Sequence, residues 1–228
     1  MNAKQAAGYR AAEWVKDGMT IGLGTGSTAY YAIEKIGEMV GNGLQIRAIA
    51  TSKASEELAV KYHIPLIEAK DVDRLDLAID GADEVDPQMA LIKGGGGALL
   101  REKLVAINSD RFIVIADNGK MVSTLGRFKL PIELVPFCYE WTLRELKSRY
   151  DVPFEMRMQG DQLYVTDNGN YIVDAAFGQI TDPARLSDEL KAMTGVVEHG
   201  LFVGIAHTVV IGYEDGRTEI KEASCSNQ

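Results

Sequence analysis

The stretch "IGLGTGSTAY", residues 21–30, joins an apolar, strand-like run to a glycine-bearing loop and then to a helical pattern. That helical pattern carries Ala29, Ile33, Ile36 and Val40 on one apolar stripe, at the spacing of an amphipathic helix. Glycines let a backbone approach an anion closely, and a helix N-terminus offers N–H donors at the positive end of its dipole. The stretch therefore predicts a strand–loop–helix unit of an α/β fold, with a loop suited to a phosphate.

Apolar strands alternate with helical patterns through the first 127 residues. We expect strands at residues 18–23, 44–50, 64–68, 75–80, 89–93 and 111–117, and helices at residues 3–16, 27–40, 54–63 and 98–108. Since parallel strands need long crossover connections, this alternation predicts a Rossmann-like, mostly parallel sheet that is flanked by helices on both faces.

The pattern changes near residue 128. We expect strands at residues 130–137, 152–158, 162–166, 171–177 and 195–202, with helices at residues 140–150 and 183–193. Asn168-Gly169 predicts a hairpin turn between the third and fourth of these strands. This order of elements resembles a split βαβ arrangement and predicts a smaller α+β, ferredoxin-like inserted domain.

The domain boundaries follow from this change of pattern. We expect the inserted domain at residues 128–202, and the Rossmann-like domain at residues 1–127 plus 203–228. Residues 205–222 predict two strands, joined by an Asp-Gly turn, that return to the first domain. Residues 223–228 have the composition of a disordered tail.

Composition and charge exclude several classes of protein. The chain has 228 residues and a formal net charge of -9, whereas a general nucleic-acid binder normally has a basic face. Charges are scattered through residues 1–18, unlike a secretory signal, and no stretch approaches the roughly 18 apolar residues of a membrane span. Cys138 and Cys225 are too few for a disulfide scaffold or a structural zinc site. We therefore expect a cytoplasmic protein with reduced thiols and without nucleic-acid or membrane partners.

The first loop, "GTGST" at residues 24–28, is compatible with more than one ligand. A nucleoside triphosphate is disfavoured, because a Walker loop needs a lysine and this loop has none. A dinucleotide fits the G-x-G-x-x-A pattern, but the next strand ends in "ATSKAS", without the acidic residue expected about 20 positions on. NADP stays open as a ligand, because Lys53 could bind its 2′-phosphate. A single phosphate of a small metabolite, held by residues 25–28, and a purely structural glycine turn with a helix cap also stay open.

The second loop, "DGADEVD" at residues 80–86, places four carboxylates after an apolar strand. Asp80 ends that strand, at a position from which side chains reach a site at the carboxyl edge of an α/β sheet. Carboxylates this close shift one another's pKa, which suits acid–base chemistry or the binding of hydroxyl groups. The spacing misses the EF-hand pattern and no histidine lies nearby in sequence, so we expect no metal. Glu84 and Asp86 are expected on a solvated acidic turn.

The third loop begins at Lys93 and runs through four successive glycines, Gly94–Gly97. Such a run costs conformational entropy, which is tolerated where backbone must approach a ligand or where a loop must move. Glu102 follows in the next helix, on a partly apolar stripe that would raise its carboxyl pKa towards that of a general base working near neutral pH. An exposed helical glutamate, paired with a neighbouring basic residue, is the alternative.

The positions of these loops predict a common site. Each follows a short apolar strand that we assign to the first domain, and ligands of open α/β sheets bind at the carboxyl ends of the strands. Lys120 also follows a strand, so it either complements a phosphate or is an ordinary surface lysine.

The motifs together are more specific than any one alone. In their order and spacing, "GTGST", "DGADE", "KGGGGALLREK" and "ADNGK" resemble the type A ribose-5-phosphate isomerases, and the resemblance continues through "GRFKLPIELVPF", "TDNGNYIVD" and "GVVEHGLF". It implies an aldose–ketose isomerase of the non-oxidative pentose phosphate pathway, which interconverts D-ribose 5-phosphate and D-ribulose 5-phosphate. It further implies a cytoplasmic homodimer that needs no metal or organic cofactor.

The resemblance also implies the site residues. The catalytic base falls on Glu102, and the substrate-binding positions fall on Thr25, Gly26, Ser27, Thr28, Asp80, Gly81, Ala82, Asp83, Lys93, Gly94, Gly95, Gly96 and Lys120. The residue types suit the reaction, because one carboxylate can move a proton between C1 and C2 through an enediolate. Lys93 can stabilise the oxygen charge, Asp80 can open the sugar ring, and Asp83 can hold hydroxyl groups or a water. Gly97 lies one position beyond the family's usual three glycines, where we expect a small residue.

Two other functions stay open from the sequence. An NADP-dependent oxidoreductase would use "GTGSTA" and Lys53, but it leaves the second and third loops unexplained. A phosphosugar-binding sensor without enzymatic activity is possible because a fold does not fix a function.

Overall fold

The computed structural model describes residues 1–223, so Cys225 and the greater part of the predicted disordered tail lie outside the described residues. Within residues 1–223 six α-helices, α1 to α6, are Ala3–Ala12, Ser27–Gly41, Lys53–Lys61, Leu99–Ile107, Tyr139–Arg149 and Pro183–Lys191. The strands β1 to β15 are Thr20–Leu23, Arg47–Ala50, Leu77–Gly81, Glu84–Val85, Leu91–Ile92, Phe112–Asp117, Leu130–Leu134, Phe154–Met156, Met158–Gln159, Gln162–Leu163, Tyr171–Ala175, Val196–His199, Leu201–Phe202, Thr208–Gly212 and Thr218–Glu222.

The chain divides into two units. The first unit comprises Met1–Ala82, Arg101–Met121 and the residues from Gly204 onward, and the second comprises Asp83–Leu100 and Val122–Val203. The sequence assigned residues 83–100, 122–127 and 203 to the first domain, whereas the structure groups them with the second unit. The physical reason is strand pairing, because β5 forms an antiparallel ladder with β4 and with β13.

A six-stranded sheet forms the centre of the first unit. Its strand order is β15-β14-β6-β3-β1-β2, and all neighbours are parallel except β15, which pairs with β14 in an antiparallel hairpin. All residues of β1 and β14 are buried, as expected for parallel strands that are covered on both faces. The predicted Rossmann-like sheet and the return of the C-terminal strands to it are confirmed.

One predicted strand of this unit does not form. Residues 64–68 make only an isolated parallel bridge, between Ala48 and Leu66. The carbonyl of Pro65 accepts from Ala48 N and Ile67 N donates to Ala48 O, but proline has no N–H with which to extend a ladder. The prediction of a strand here was wrong.

The second unit contains an antiparallel four-stranded sheet in the order β12-β7-β11-β8. With α5 after β7 and α6 after β11, this is the split βαβ arrangement that the sequence predicted. Leu146 of α5 and Leu190 of α6 are fully buried in one apolar cluster with Leu134 and Val173 of the sheet. The α+β, ferredoxin-like character of this region is therefore confirmed.

The predicted Asn-Gly hairpin is smaller than expected. Only one bridge, between Val165 and Tyr171, joins the two segments. The segment before the turn pairs elsewhere, because β10 pairs with β9. The turn itself is closed by the bond from Thr166 N to Asn170 O, and both side chains donate to the buried carboxylate of Glu133. Side-chain bonds to a buried acid thus replace the longer ladder that the turn signal predicted.

None of the described helices combines the length and the apolar character needed to cross a membrane.

Candidate active site

The loop between β1 and α2 has glycines where side chains would not fit. A Cβ added to Gly24 would lie 2.2 Å from Oδ1 of Asp80, so only glycine allows this close approach of the loop to β3. Gly26 has a φ of +102°, which L side chains rarely adopt, and α2 begins directly after it. The loop therefore leads straight into a helix N-terminus, the arrangement that binds anions.

Asp80 connects the first and second predicted loops. It lies at the carboxyl end of β3 and is 2% exposed. Its Oδ1 accepts hydrogen bonds from Thr25 N at 2.9 Å and from Gly81 N at 2.7 Å. Two of the three predicted loops are thus joined by direct contacts at the carboxyl ends of adjacent parallel strands.

The side chain of Thr25 belongs to a cluster of hydroxyl groups. Its Oγ1 lies 2.7 Å from Oγ1 of Thr51, 2.8 Å from Oγ of Ser52 and 3.1 Å from Oγ of Ser55. Ser55 in turn donates to the carbonyl of Gly24 at 2.6 Å. These residues come from the "ATSKAS" segment, so this segment braces the first loop with hydroxyl groups where a dinucleotide site would have an acid.

Lys4 lies at the first loop, although no sequence pattern predicted it there. Its Nζ donates to Oγ of Ser27, the first residue of α2, at 2.9 Å. An ammonium group at a helix N-terminus complements a bound anion. No motif in the sequence marks Lys4, because its position depends on the packing of α1 against α2.

Glu102 and Lys120 belong to the first unit. Glu102 lies in the first turn of α4 and is 5% exposed, so the alternative of a solvent-exposed helical glutamate is wrong. Its neighbour Arg101 has its guanidinium 4.0 Å from a carboxylate oxygen of Glu56. Lys120 is partly buried and ends the short 3-10 turn Asn118–Lys120, which directly follows β6.

The third loop belongs to the second unit. The prediction that it follows a strand of the first sheet was wrong, because β5 is in a three-stranded sheet with β4 and β13. Lys93 comes directly after β5, is 2% exposed, and has its Nζ 5.5 Å from the centre of the Phe202 ring. Its N–H donates to the carbonyl of Gly200 at 2.9 Å, which extends the pairing of β5 with β13.

Asp83 holds the glycine run in place. Its Oδ2 accepts a hydrogen bond from Gly95 N at 2.8 Å, and a Cβ added to Gly95 would lie 2.7 Å from its Oδ1. Gly94 and Gly97 have φ values of +98° and +79°, and Gly97 N donates to Gly94 O at 3.0 Å. The small residue expected at Gly97 is constrained further to glycine, because its φ favours glycine and an added Cβ would lie 2.2 Å from Oη of Tyr164.

The sequence predicted Glu84 and Asp86 on a solvated acidic turn, and this prediction was wrong. Glu84 is fully buried and accepts from Gly126 N and Phe128 N, both at 2.7 Å. Asp86 is 7% exposed and accepts from the backbone N–H groups of Gln88 and Ala90. Burial raises the pKa of Asp86, although these two hydrogen bonds act in the opposite direction. Both acids therefore stabilise the backbone of the second unit.

The described residues contain no group of three or more His, Cys, Asp or Glu side chains that could hold a metal ion. Cys138 is a free thiol that precedes α5.

The fold and these residues define an α/β protein whose first unit has a glycine-bearing loop before a helix N-terminus and a buried carboxylate at the carboxyl ends of parallel strands. Residues 47–216 match the family model of ribose 5-phosphate isomerase A, also described as phosphoriboisomerase A. The chain belongs to this family.

Relatives and solved structures agree over nearly the full length. A ribose-5-phosphate isomerase A of Bacillus mycoides is 50% identical over 220 residues, which are 96% of this chain and 99% of the relative. One from Bradyrhizobium diazoefficiens is 48% identical over 93% of this chain and 92% of its own length. A D-ribose-5-phosphate isomerase solved in complex with phospho-erythronic acid is 39% identical, with a TM-score of 0.92 over 97% of this chain and all of that chain. The Plasmodium falciparum ribose 5-phosphate isomerase has a TM-score of 0.91 and 38% identity, over 96% of this chain and 97% of its own.

Proposed function

We propose that this chain interconverts D-ribose 5-phosphate and D-ribulose 5-phosphate, with Glu102 as the base. Membership of the family supports the reaction, and one observation carries the choice of base: Glu102 is a carboxylate only 5% exposed, in the first turn of α4. A carboxylate withdrawn from water has lost hydration that would otherwise stabilise its charge, so it accepts a proton from carbon more readily.

In the proposed mechanism one proton moves between two neighbouring carbons. After ring opening, the carboxylate of Glu102 takes the proton from C2 of the aldose, and the electrons of that C–H bond form an enediolate. Glu102 then returns the proton to C1, while O1 gains a proton and O2 loses one, which gives the ketose. The same carboxylate thus serves as base and as acid.

Other residues take supporting roles in this proposal. The ammonium group of Lys93 and the N–H groups of Gly94 and Gly96 stabilise the charge on the substrate oxygens. This electrostatic stabilisation is stronger where water is excluded, and Lys93 is only 2% exposed. Asp80 acts in ring opening, and Asp83 holds hydroxyl groups or a water. In this scheme the reaction needs no metal or organic cofactor.

The first loop binds the 5-phosphate. Ser27, Thr28 and the N-terminus of α2 supply donors, Lys120 supplies charge, and we add Lys4 because of its contact with Ser27. Binding energy from this remote group positions C1 and C2 for reaction, so the loss of a phosphate ligand would lower turnover as well as affinity.

Two simple experiments test the alternative functions. Incubation with ribose 5-phosphate and a metal chelator should yield the ketose, whereas specific binding without turnover would favour the sensor. Titration with NADPH should leave the cofactor fluorescence unchanged, and a saturable change would favour the oxidoreductase.

Glu102→Gln tests the assignment of the base. The amide keeps the shape of the side chain but cannot accept the proton, so we expect kcat to fall by roughly 10²- to 10⁴-fold, with a smaller change in KM. In D₂O the variant should also fail to exchange the substrate proton with solvent. Glu57→Gln, at an exposed position of α3, is the matched control and should behave like the wild type. Exchange at the wild-type rate in Glu102→Gln would remove Glu102 from this role.

We further propose that the protein is a homodimer in the cytoplasm. The dimer is supported by exposed apolar side chains near the start of α5, where Phe137 is 83% exposed and Trp141 is 67% exposed. The cytoplasmic location is supported by the free thiol of Cys138. Cell fractionation would test the location.

A further inference from the structure

Arg157 and Asp174 form a bidentate ion pair in the second unit. Nε of Arg157 donates to Oδ2 of Asp174 at 2.9 Å, and one terminal nitrogen donates to Oδ1 at 2.5 Å. Both side chains are less than one fifth exposed. The backbone of Arg157 is fixed as well, because its N–H donates to Ile172 O and its carbonyl accepts from Tyr164 N. The guanidinium group is therefore held in one orientation by rigid elements.

The remaining terminal nitrogen of this guanidinium group points at the glycine loop. It donates to the carbonyl of Gly94 at 2.8 Å and to the carbonyl of Gly95 at 3.2 Å. The ring of Tyr164 lies beside the same guanidinium group, 5.9 Å from ring centre to Cζ, and its hydroxyl group is next to Gly97. Glycines have the widest choice of backbone conformations, so contacts from outside must select one.

These contacts determine the direction of the loop N–H groups. In a trans peptide the C=O and the following N–H point in opposite directions, so fixing the carbonyl fixes the N–H. The Gly94–Gly95 peptide is held from both sides, by Arg157 on its oxygen and by Asp83 on its nitrogen. In the next peptide, Arg157 binds the oxygen of Gly95, so the N–H of Gly96 points away from the guanidinium group. A cation on a carbonyl also polarises the peptide and strengthens its N–H as a donor.

We propose that Arg157, aligned by Asp174, is a positioning residue for the isomerase reaction: it orients and polarises the Gly95–Gly96 peptide, whose oxygen it binds, so that the N–H group of Gly96 stabilises the negative charge of the enediolate. This inference rests on the proposed role of the glycine loop in binding the substrate oxygens. Arg157 acts through the loop, so it should influence kcat far more than KM.

The test combines kinetics with amide hydrogen exchange of Gly94–Gly97, followed by NMR, in Arg157→Ala, Arg157→Lys and Asp174→Asn. For Arg157→Ala we expect kcat to fall roughly 10- to 100-fold, KM to change less than about threefold, and loop amides to exchange about tenfold or more faster. Guanidinium ion at a low, non-denaturing concentration should restore part of kcat. Arg157→Lys keeps the positive charge but lacks the planar guanidinium group with its paired donors, so its kcat should lie between those of the wild type and Arg157→Ala. Arg149→Ala removes an exposed arginine of the same unit and should match the wild type.

The outcomes distinguish a failure of this inference from a failure of the proposed function. Wild-type exchange of the loop amides in Arg157→Ala would overturn the positioning role. Faster exchange with unchanged kcat would show that Arg157 orders the loop and that the loop takes no part in catalysis, which contradicts the proposed function. If Arg157→Ala does not fold, Arg157→Lys and Asp174→Asn decide, and wild-type kcat in both would overturn the proposal.

Discussion

Gly97 shows how a single residue can be constrained in two ways. Its φ of +79° lies in the left-handed region, and its missing Cβ makes room for Tyr164. Gly169 has a φ of +82° but nothing within 4 Å of an added Cβ. Alanine substitutions at Gly97 and Gly169, both in the second unit, therefore separate the cost of backbone strain from the cost of the side-chain clash.

We predict that Gly97→Ala destabilises the protein more than Gly169→Ala. Left-handed backbone alone costs an alanine roughly 1–2 kcal/mol, and the contact with Tyr164 should add about 1–3 kcal/mol of overpacking. Urea denaturation of both variants measures the two free energies of unfolding. In Gly97→Ala with Tyr164→Ala the added cost should disappear. Equal losses in the two single variants would contradict a steric role for Tyr164.

At the level of elements, strand ends and the loops that follow them build the site. Asp80 at the end of β3 connects to the loop after β1, and the hydroxyl groups after β2 brace that loop from its other side. Parallel strands place successive strand ends at one edge, so residues distant in sequence become neighbours. This reasoning does not apply to the loop after β5, because β5 belongs to an antiparallel sheet of the second unit.

The hydroxyl cluster gives a prediction for Thr25. Thr25→Val keeps the shape but leaves the hydroxyl groups of Thr51, Ser52 and Ser55 without this partner, and we expect a loss of about 1–3 kcal/mol in the free energy of unfolding. KM for ribose 5-phosphate should rise as the loop loosens. Thr25→Ser retains the hydroxyl group and serves as control. A raised KM in Thr25→Val at unchanged stability would instead indicate that the hydroxyl group contacts the substrate.

At the level of the whole molecule, each unit contributes part of the proposed residue set. The first unit contains Thr25–Thr28, Asp80–Ala82, Glu102 and Lys120, and the second contains Asp83 and Lys93–Gly96. The second unit also carries the exposed aromatic side chains Phe137 and Trp141, which the mechanism does not use. Large exposed apolar groups close together in sequence are typical of surfaces that associate with another protein.

The dimer is therefore predicted to depend on these side chains. Light scattering coupled to size-exclusion chromatography should give about twice the 24.9 kDa of one chain. Phe137→Ser with Trp141→Ser should raise the dimer dissociation constant at least about 100-fold, because burial of two aromatic groups would be lost. Val60→Ser, at a residue of the first unit that is 66% exposed, is the control. A double variant that stays dimeric would move the interface elsewhere.

Periodic apolar patterns and the glycine motifs determined much of this protein by themselves. They predicted the strand–loop–helix unit at residues 21–30, the alternation that builds the parallel sheet, the split βαβ region and the family, because such signals are local and repeat along the chain. Pairing partners are not local, and the tertiary structure alone decided them. It assigned β5 to the second unit, buried Glu84 and Asp86 against backbone N–H groups, and brought Lys4 to Ser27 and Arg157 to the glycine loop. These contacts depend on which surfaces pack together, and no spacing in the sequence records that choice.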